Sequence, residues 1–357
     1  MTTRVLIVED SATMRHHLRE ALQADPQLEI VGEAVDGERA VQMVARLRPD
    51  VITMDMMLPG ISGLAATEQI MAEHPTPILV VSSADREELF STYNALAAGA
   101  VDVMEKPRGD DSDADWAMRL RTSVRIVARI RVITHPRARL GRRDLPPAPA
   151  TPMPVPVPVP PPGGLAVVAV GASTGGPAAL TELIRGLPPS FPTPVLAVQH
   201  IAASEQFAEA FSDWLAGQTR RDVRYARDGA PVNRAAGQIL LAPPDRHLFV
   251  RDGLLRLSAG PPRHSCRPSV DVLFESVAED YGPSAAGCLL TGMGRDGAAG
   301  LLQMRNRGAV TFAQDEHSCT VYGMPREAAL LGAARHVLPP ARIAARLGEL
   351  HPTAVRR

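Results

Sequence analysis

Three apolar runs in the second half of the chain end in residues suited to acyl chemistry. Leu165 to Val170 runs into Gly171-Ala172-Ser173-Thr174-Gly175-Gly176-Pro177, Pro194 to Val198 into Gln199-His200, and Cys288 to Leu290 into Thr291-Gly292-Met293-Gly294-Arg295-Asp296-Gly297. A serine hydroxyl is a weak nucleophile until a base takes its proton, and a histidine base needs a carboxylate to orient and stabilise its imidazolium. Ser173, His200 and Asp296 are the residue types for those three roles. The Gly-rich turn at Ser173 could instead hold a phosphate on backbone N–H groups at a helix N-terminus. That reading is the weaker one. The turn fits neither G-x-G-x-x-G nor G-x-x-x-x-G-K-[ST], and the next strand ends in Gln-His where a dinucleotide site places an acid.

A second constellation lies in the first third of the chain. Glu9 and Asp10 close one apolar run and Asp55 closes another; Ser82 and Ser83 close a third, and Lys106 precedes Pro107. Three carboxylates at one sheet edge repel one another unless a hard divalent cation joins them, and Mg²⁺ with its oxygen ligands suits the set. A carboxylate can also accept a phosphoryl group. Lys106 is the only lysine in a chain otherwise supplied with arginine. A compact ammonium on a flexible stem suits a phosphoryl oxygen.

Such residues meet only if sheets carry them. Residues 1–110 alternate strand patterns (Arg4 to Glu9, Leu28 to Ala34, Asp50 to Met54, Pro77 to Val81, Val101 to Met104) with helical ones, and Asp113 to Ile133 reads as a closing helix. Five βα units predict a doubly wound parallel sheet, with ligands beyond the carboxyl ends of the strands. The second half reads as another α/β sheet, mostly parallel. It carries a β-hairpin insertion within Val223 to Leu257, where Asp-Gly and Pro-Pro pairs mark turns. Ser173, His200 and Asp296 then share one sheet edge.

The 357 residues have room for two domains, which we place at 1–133 and 165–357. Between Leu145 and Gly164 ten of twenty residues are proline, so 134–164 reads as an Arg- then Pro-rich linker with polyproline II character. Arg137, Arg139, Arg142 and Arg143 read as its solvated face. Residues 1–112 carry nine basic against nineteen acidic residues, which suits a cation site and argues against a nucleic-acid surface. Three scattered cysteines suggest neither disulfides nor a metal knuckle. With no signal peptide or membrane-length apolar run, a soluble cytoplasmic protein without membrane insertion is expected.

The motifs VEDS, DVITMDMMLPGISG, VVSSAD and DVMEKP resemble a two-component receiver domain across residues 4–107. The resemblance implies Asp55 as phospho-acceptor, Glu9, Asp10 and Asp55 as Mg²⁺ ligands, Ser82 as the switch hydroxyl and Lys106 as the phosphate contact. Val103 stands where many receivers carry an aromatic switch residue. GASTGGP, VQHI, APPDRHL, RPSVDVLF, LLTGMGRDGAAG and AQDEHSCTVYGMPREAA resemble the catalytic domain of chemotaxis receptor methylesterases, the CheB family. That resemblance implies Ser173 as nucleophile, His200 as general base, Asp296 as orienting acid, Thr174 as a neighbour of the histidine and the Met293 N–H in the oxyanion hole. The esterase chemistry is expected to need no cofactor. The implied substrates are glutamyl methyl esters, and glutamines, on methyl-accepting chemoreceptors. The implied phosphodonor is a chemotaxis histidine kinase, and a monomer is expected. The unphosphorylated receiver is expected to cover the Ser173 site, with the long linker weakening that basal inhibition. His247, His264 and Arg263 read as core or surface structure.

Overall fold

The computed structural model describes residues 2–83, 86–107, 113–130, 132, 164–200 and 205–350. The linker expected at 134–164 lies outside these residues, apart from Gly164. The chain divides into two compact units.

The first unit runs β1 (Thr3–Val8), α1 (Ala12–Gln23), β2 (Leu28–Ala34), α2 (Gly37–Leu47), β3 (Val51–Met54), α3 (Gly63–Glu73), β4 (Ile78–Ser82), α4 (Arg86–Ala98), β5 (Asp102–Glu105) and α5 (Asp113–Val127). Side chains at three helix starts hold orphan N–H groups: Ser11 accepts from Met14 N, Asp36 from Arg39 N and Ser62 from Ala65 N. The strands pair in parallel in the order β2-β1-β3-β4-β5. Val5 lies beside Val51 and Ile52 beside Ile78. A central strand buried on both faces reads as a continuous apolar run, which is what Val5-Leu6-Ile7-Val8 is. On one face Val5, Ile7, Val51 and Leu79 pack with Leu18 and Leu22 of α1 and Trp116, Leu120 and Val124 of α5. Fully burying a Leu or Val of this kind contributes roughly 1.5–3 kcal/mol. The closing helix stops at Val127, six residues short of the expected Ile133. There the hydrogen bonds tighten to Arg129 N with Ile126 O and Ile130 N with Val127 O.

The second half of the chain runs β6 (Val167–Ala172), α6 (Gly176–Gly186), β7 (Val195–Gln199), α7 (Glu205–Thr219), β8 (Val223–Tyr225), β9 (Ile239–Leu241), β10 (His247–Arg251), β11 (Leu254–Ser258), α8 (Val270–Tyr281), β12 (Ala285–Leu289), α9 (Ala298–Asn306), β13 (Val310–Gln314), α10 (Met324–Leu330), β14 (His336–Leu338) and α11 (Pro340–Glu349). Seven strands form one sheet in the order β14-β13-β12-β6-β7-β9-β8, each neighbouring pair parallel. The hairpin insertion is narrower than the expected span. Only β10 and β11 pair antiparallel, joined by Asp252-Gly253 with both φ positive, as a type I′ turn requires. The short runs β8 and β9 instead join the main sheet, because residues 223–241 return to the same edge of the sheet as β7.

Strand order fixes where chemistry can occur. In the first sheet the chain leaves β1 in one direction for β2 and returns on its other side for β3. In the second it leaves β6 for β7 and returns as β12. At such switch points the loops after neighbouring strands diverge and open a crevice. Glu9, Asp10 and Asp55 follow β1 and β3; Ser173 and Thr291 follow β6 and β12. No described helix is long and apolar enough to cross a membrane.

Candidate functional site

Ser173 is the first residue beyond β6 and His200 the first beyond β7. The two strands are in register, Ala172 beside Gln199, so the two side chains leave adjacent strand ends. The backbone around them is tied. His200 N donates to Ala172 O at 2.9 Å, and Ser173 N to Thr291 O at 3.0 Å. Gln199 Nε2 donates to Ser173 O at 2.8 Å and to His200 O at 3.0 Å, bridging the two loops. Gly175 turns the chain into α6 with φ of 77°, and Pro177 occupies that helix's first turn. A Cβ on Gly175 would overlap the Thr320 hydroxyl, and one on Gly292 would sit 2.7 Å from Ser173 Cβ. These glycines let two loops close on the serine.

Asp296 reaches the same place from beyond β12. His200 Nε2 lies 3.0 Å from Asp296 Oδ2. The carboxylate is also held at the N-terminus of α8. Val270 N donates to Oδ2 at 2.7 Å, while Ser269 Oγ and Asp271 N donate to Oδ1 at 2.7 and 3.1 Å. Four donors and a helix N-terminus make a strongly anion-stabilising seat. Burial pushes the Asp296 carboxyl up, but the hydrogen bond and charge of His200, with Ser269 and Val270, hold it below the ordinary carboxylate value. Burial pulls the His200 imidazolium down; Asp296 and Cys266 outweigh it and hold the ring up to about 9. Thr174 contributes its carbonyl, which accepts from Thr291 Oγ1 at 3.0 Å. The Met293 N–H meets no acceptor among the described residues, and the Met293 side chain is 45% exposed.

Several further neighbours complete the site, of which the sequence marks only His247 and His264, and those as core or surface structure. Ser269, Val270 and Asp271 lie in the RPSVD stretch, where a Ser before an amphipathic run signals a helix start but not what that start binds. Asp271 continues the network: His264 Nε2 lies 3.1 Å from its Oδ2, and Gly300 N donates to its Oδ1 at 2.6 Å. Cys266 also reaches the site, its Sγ within 4.8 Å of a ring nitrogen of His200 and a carboxylate oxygen of Asp296. His247 lies in the hydrogen-bonding frame, its Nδ1 accepting from Ser269 N at 3.2 Å.

In the first unit Glu9 and Asp55 are buried at the β1/β3 switch point, and Asp10 is exposed beside them. Lys106, after β5, places Nζ 3.0 Å from Asp55 Oδ1 and 3.1 Å from Glu9 Oε2. Burial, reinforced by the charge of Asp55, pushes Glu9 up to about 7, and burial likewise raises Asp55. Burial pulls Lys106 down, but the two carboxylates more than offset it. One oxygen from each of Glu9, Asp10 and Asp55 lies within 4.8 Å of the others. Two buried carboxylates and an exposed one, gathered so closely, fit a hard divalent cation such as Mg²⁺. Ser82 ends β4, where its Oγ accepts from Thr92 Oγ1 at 2.8 Å and donates to Ser83 O at 3.2 Å.

Residues 168–347 match the family model of the CheB methylesterase, and residues 5–113 that of the response regulator receiver domain. A protein-glutamate methylesterase/protein-glutamine glutaminase of Anaeromyxobacter dehalogenans (strain 2CP-C) is 43% identical over 347 residues, 97% of this chain and 96% of the relative. A protein of the same name from Myxococcus xanthus (strain DK1622) is 46% identical over 326 residues, 90% of this chain and 89% of the relative. Among solved structures, the Thermotoga maritima CheB methylesterase catalytic domain is 34% identical, covers 52% of this chain and 99% of that one, and has a TM-score of 0.49. The response regulator domain of Thermotoga maritima CheB is 37% identical over 37% of this chain and 99% of that one, with a TM-score of 0.34.

Proposed function

The chain belongs to the CheB methylesterase family, with a response regulator receiver domain ahead of the esterase, and from that premise we propose that Ser173, His200 and Asp296 carry its hydrolysis of glutamyl methyl esters on chemoreceptors. One observation carries this assignment: the carboxylate of Asp296 is held in an anion-stabilising seat and lies 3.0 Å from His200, which leaves the strand end next to that of Ser173.

Ser173 Oγ attacks the ester carbonyl while its proton passes to the neutral His200 ring. The new C–O bond makes a tetrahedral centre whose oxyanion the Met293 N–H is free to receive. His200 returns the proton to the departing methoxide, releasing methanol and leaving an acyl-serine. Water, deprotonated by His200, then attacks the acyl carbon, and the Ser173 oxygen leaves with the proton. On a glutamine side chain the same steps release ammonia. Asp296 keeps the imidazolium oriented and stabilised throughout.

Phosphorylation of Asp55 by a histidine kinase regulates this activity. Glu9, Asp10 and Asp55 would hold Mg²⁺, which would supply positive charge to the phosphoryl oxygens. Lys106 contacts the phosphoryl group and the Ser82 hydroxyl reorients toward it. The domains are taken as 1–133 and 165–357, joined by the Pro-rich segment.

The test is methanol release from a methylated receptor fragment by wild type and Ser173→Ala, each with and without acetyl phosphate as phosphodonor. Release that needs Ser173 and rises with the donor supports both halves. Release independent of Ser173 refutes the nucleophile, and release indifferent to the donor refutes the regulation.

A further inference from the structure

Cys266 takes up neither the acyl group nor the serine proton in the ester chemistry, yet the chain takes an unfavourable path to bring it to His200. Arg263 and Cys266 pair across a two-residue turn, Arg263 N donating to Cys266 O at 3.0 Å and Cys266 N to Arg263 O at 2.8 Å. The two central residues, His264 and Ser265, both have positive φ, 51° and 62°. A turn of this kind ordinarily takes Asn-Gly, and a left-handed non-glycine residue costs roughly 1–2 kcal/mol. The turn is held from outside. Arg263 forms a two-pronged pair with Glu275 at 2.5 and 2.6 Å, His264 binds Asp271, and Arg267 Nε donates to Asp245 Oδ1 at 2.7 Å. Strain maintained by surrounding contacts is a mark of functional loops.

The loop completes a set of ligand atoms. One nitrogen of His200, Cys266 Sγ and one carboxylate oxygen of Asp296 all lie within 4.8 Å of one another. A thiolate, an imidazole and a carboxylate are zinc's three protein ligand types, and three of them with an open fourth position make a usual zinc shell. The supporting groups also fit. The second oxygen of Asp296 stays bonded to Ser269 Oγ and Asp271 N, as ligating carboxylates generally are. Of the arginines around the loop, Arg263 has its charge taken up by Glu275 and Arg267 by Asp245, while Arg295 donates to His264 Nδ1 at 3.3 Å. The other cysteines are poorer ligands, since burial pushes the thiols of Cys288 and Cys319 up and keeps them protonated.

We propose that His200, Cys266 and Asp296 form an inhibitory site for a thiophilic divalent cation, Zn²⁺ in particular, which takes the base out of the esterase reaction. Binding releases the thiol proton and leaves the ring's one remaining proton on the nitrogen turned away from the metal, and the metal takes the place of the His200–Asp296 hydrogen bond. His200 can then no longer accept the Ser173 proton. Only the inhibitory consequence rests on the proposed role of His200; metal binding itself does not.

The test uses the full chain, stripped of metal, in excess Mg²⁺ to fill the receiver's oxygen site. Titration with Co²⁺ is expected to give a thiolate-to-cobalt absorption band that Cys319→Ser retains and both Cys266→Ser and Cys266→Ala lose. Zn²⁺ is expected to suppress methanol release reversibly with EDTA. Each variant is scored against its own metal-free rate, and Cys266→Ser is expected to need roughly tenfold more Zn²⁺ or above. Absence of the band in wild type, or its survival in both Cys266 variants, overturns the site whether or not the chain is an esterase. A Cys266-dependent band with undiminished methanol release overturns the inhibition.

Discussion

Asp296→Asn tests the site most directly, because the change keeps the side chain's shape and removes its charge. His200 Nε2 and Asp296 Oδ2 are 3.0 Å apart. Two unit charges at that distance interact by about 5.5 kcal/mol at an effective dielectric constant near 20. At about 1.4 kcal/mol per decade this corresponds to ~10⁴ in rate above pH about 9, where the ring starts neutral and the imidazolium forms only in the transition state. His200 remains 14% exposed, so water screens part of the loss, and the expected fall in methanol release is ~10²- to 10⁴-fold. The Asn has a second consequence. All of Asp296's backbone partners are donors. With the new amide turned to the Oδ1 side, Ser269 Oγ can rotate to accept from it, but Asp271 N–H loses its acceptor. An unsatisfied buried donor costs about 1–3 kcal/mol, which lowers the melting temperature of a domain this size by roughly 2–10 °C. The assay is methanol release across pH, with circular dichroism melting on the same samples. A rate within tenfold of wild type, with His200 titrating as before, would refute the assignment of Asp296.

Four further outcomes follow from the contacts described above. Methanol release should climb from neutral pH through about 9, because only the neutral His200 ring accepts the serine proton, and Cys266→Ser should move that rise to lower pH by removing one of the two groups that hold the ring up; a flat pH–rate profile would contradict this. A histidine raised from 6.5 to about 9 on folding stabilises the domain fully below 6.5, so the His200–Asp296 contribution should decline between those values, and Asp296→Asn should flatten that part of a denaturation-against-pH series. Gly292→Ala should cut activity by ~10²-fold or more through collision with Ser173 Cβ and Met324 Sδ, and a crystal structure of the variant should show the 173–177 turn displaced. Lys106→Met leaves Glu9 and Asp55 buried without their cation, so it should lower the receiver's melting temperature at neutral pH, with Mg²⁺ restoring more stability in the variant than it adds to wild type; an unchanged melting curve would count against the pairing.

Much of this protein is set by local pattern. Continuous apolar runs identify strands buried on both faces, and the residues that end those runs identify the candidate chemistry: Ser173, His200 and Asp296 in one sheet, Glu9, Asp10, Asp55 and Lys106 in the other. These features are legible because strand burial and turn chemistry act over a few residues. Other features depend on which strands become neighbours. The short runs 223–225 and 239–241 look like hairpin strands until the main sheet offers them a parallel partner, and β14 goes unnoticed because three residues of strand carry little periodicity. The seat of Asp296 joins residues 25 to 96 positions apart. A serine before an amphipathic run announces the start of α8 but not the carboxylate that start holds. The approach of Cys266 is less legible still, since His264-Ser265 carries none of the Asn or Gly that normally marks a left-handed turn. Its conformation is imposed by Glu275, Asp271 and Asp245, contacts that exist only after the chain has folded. The sequence determined the chemical groups and the strand ends that bear them; tertiary packing decided how the base and its carboxylate are held, and what else stands beside them.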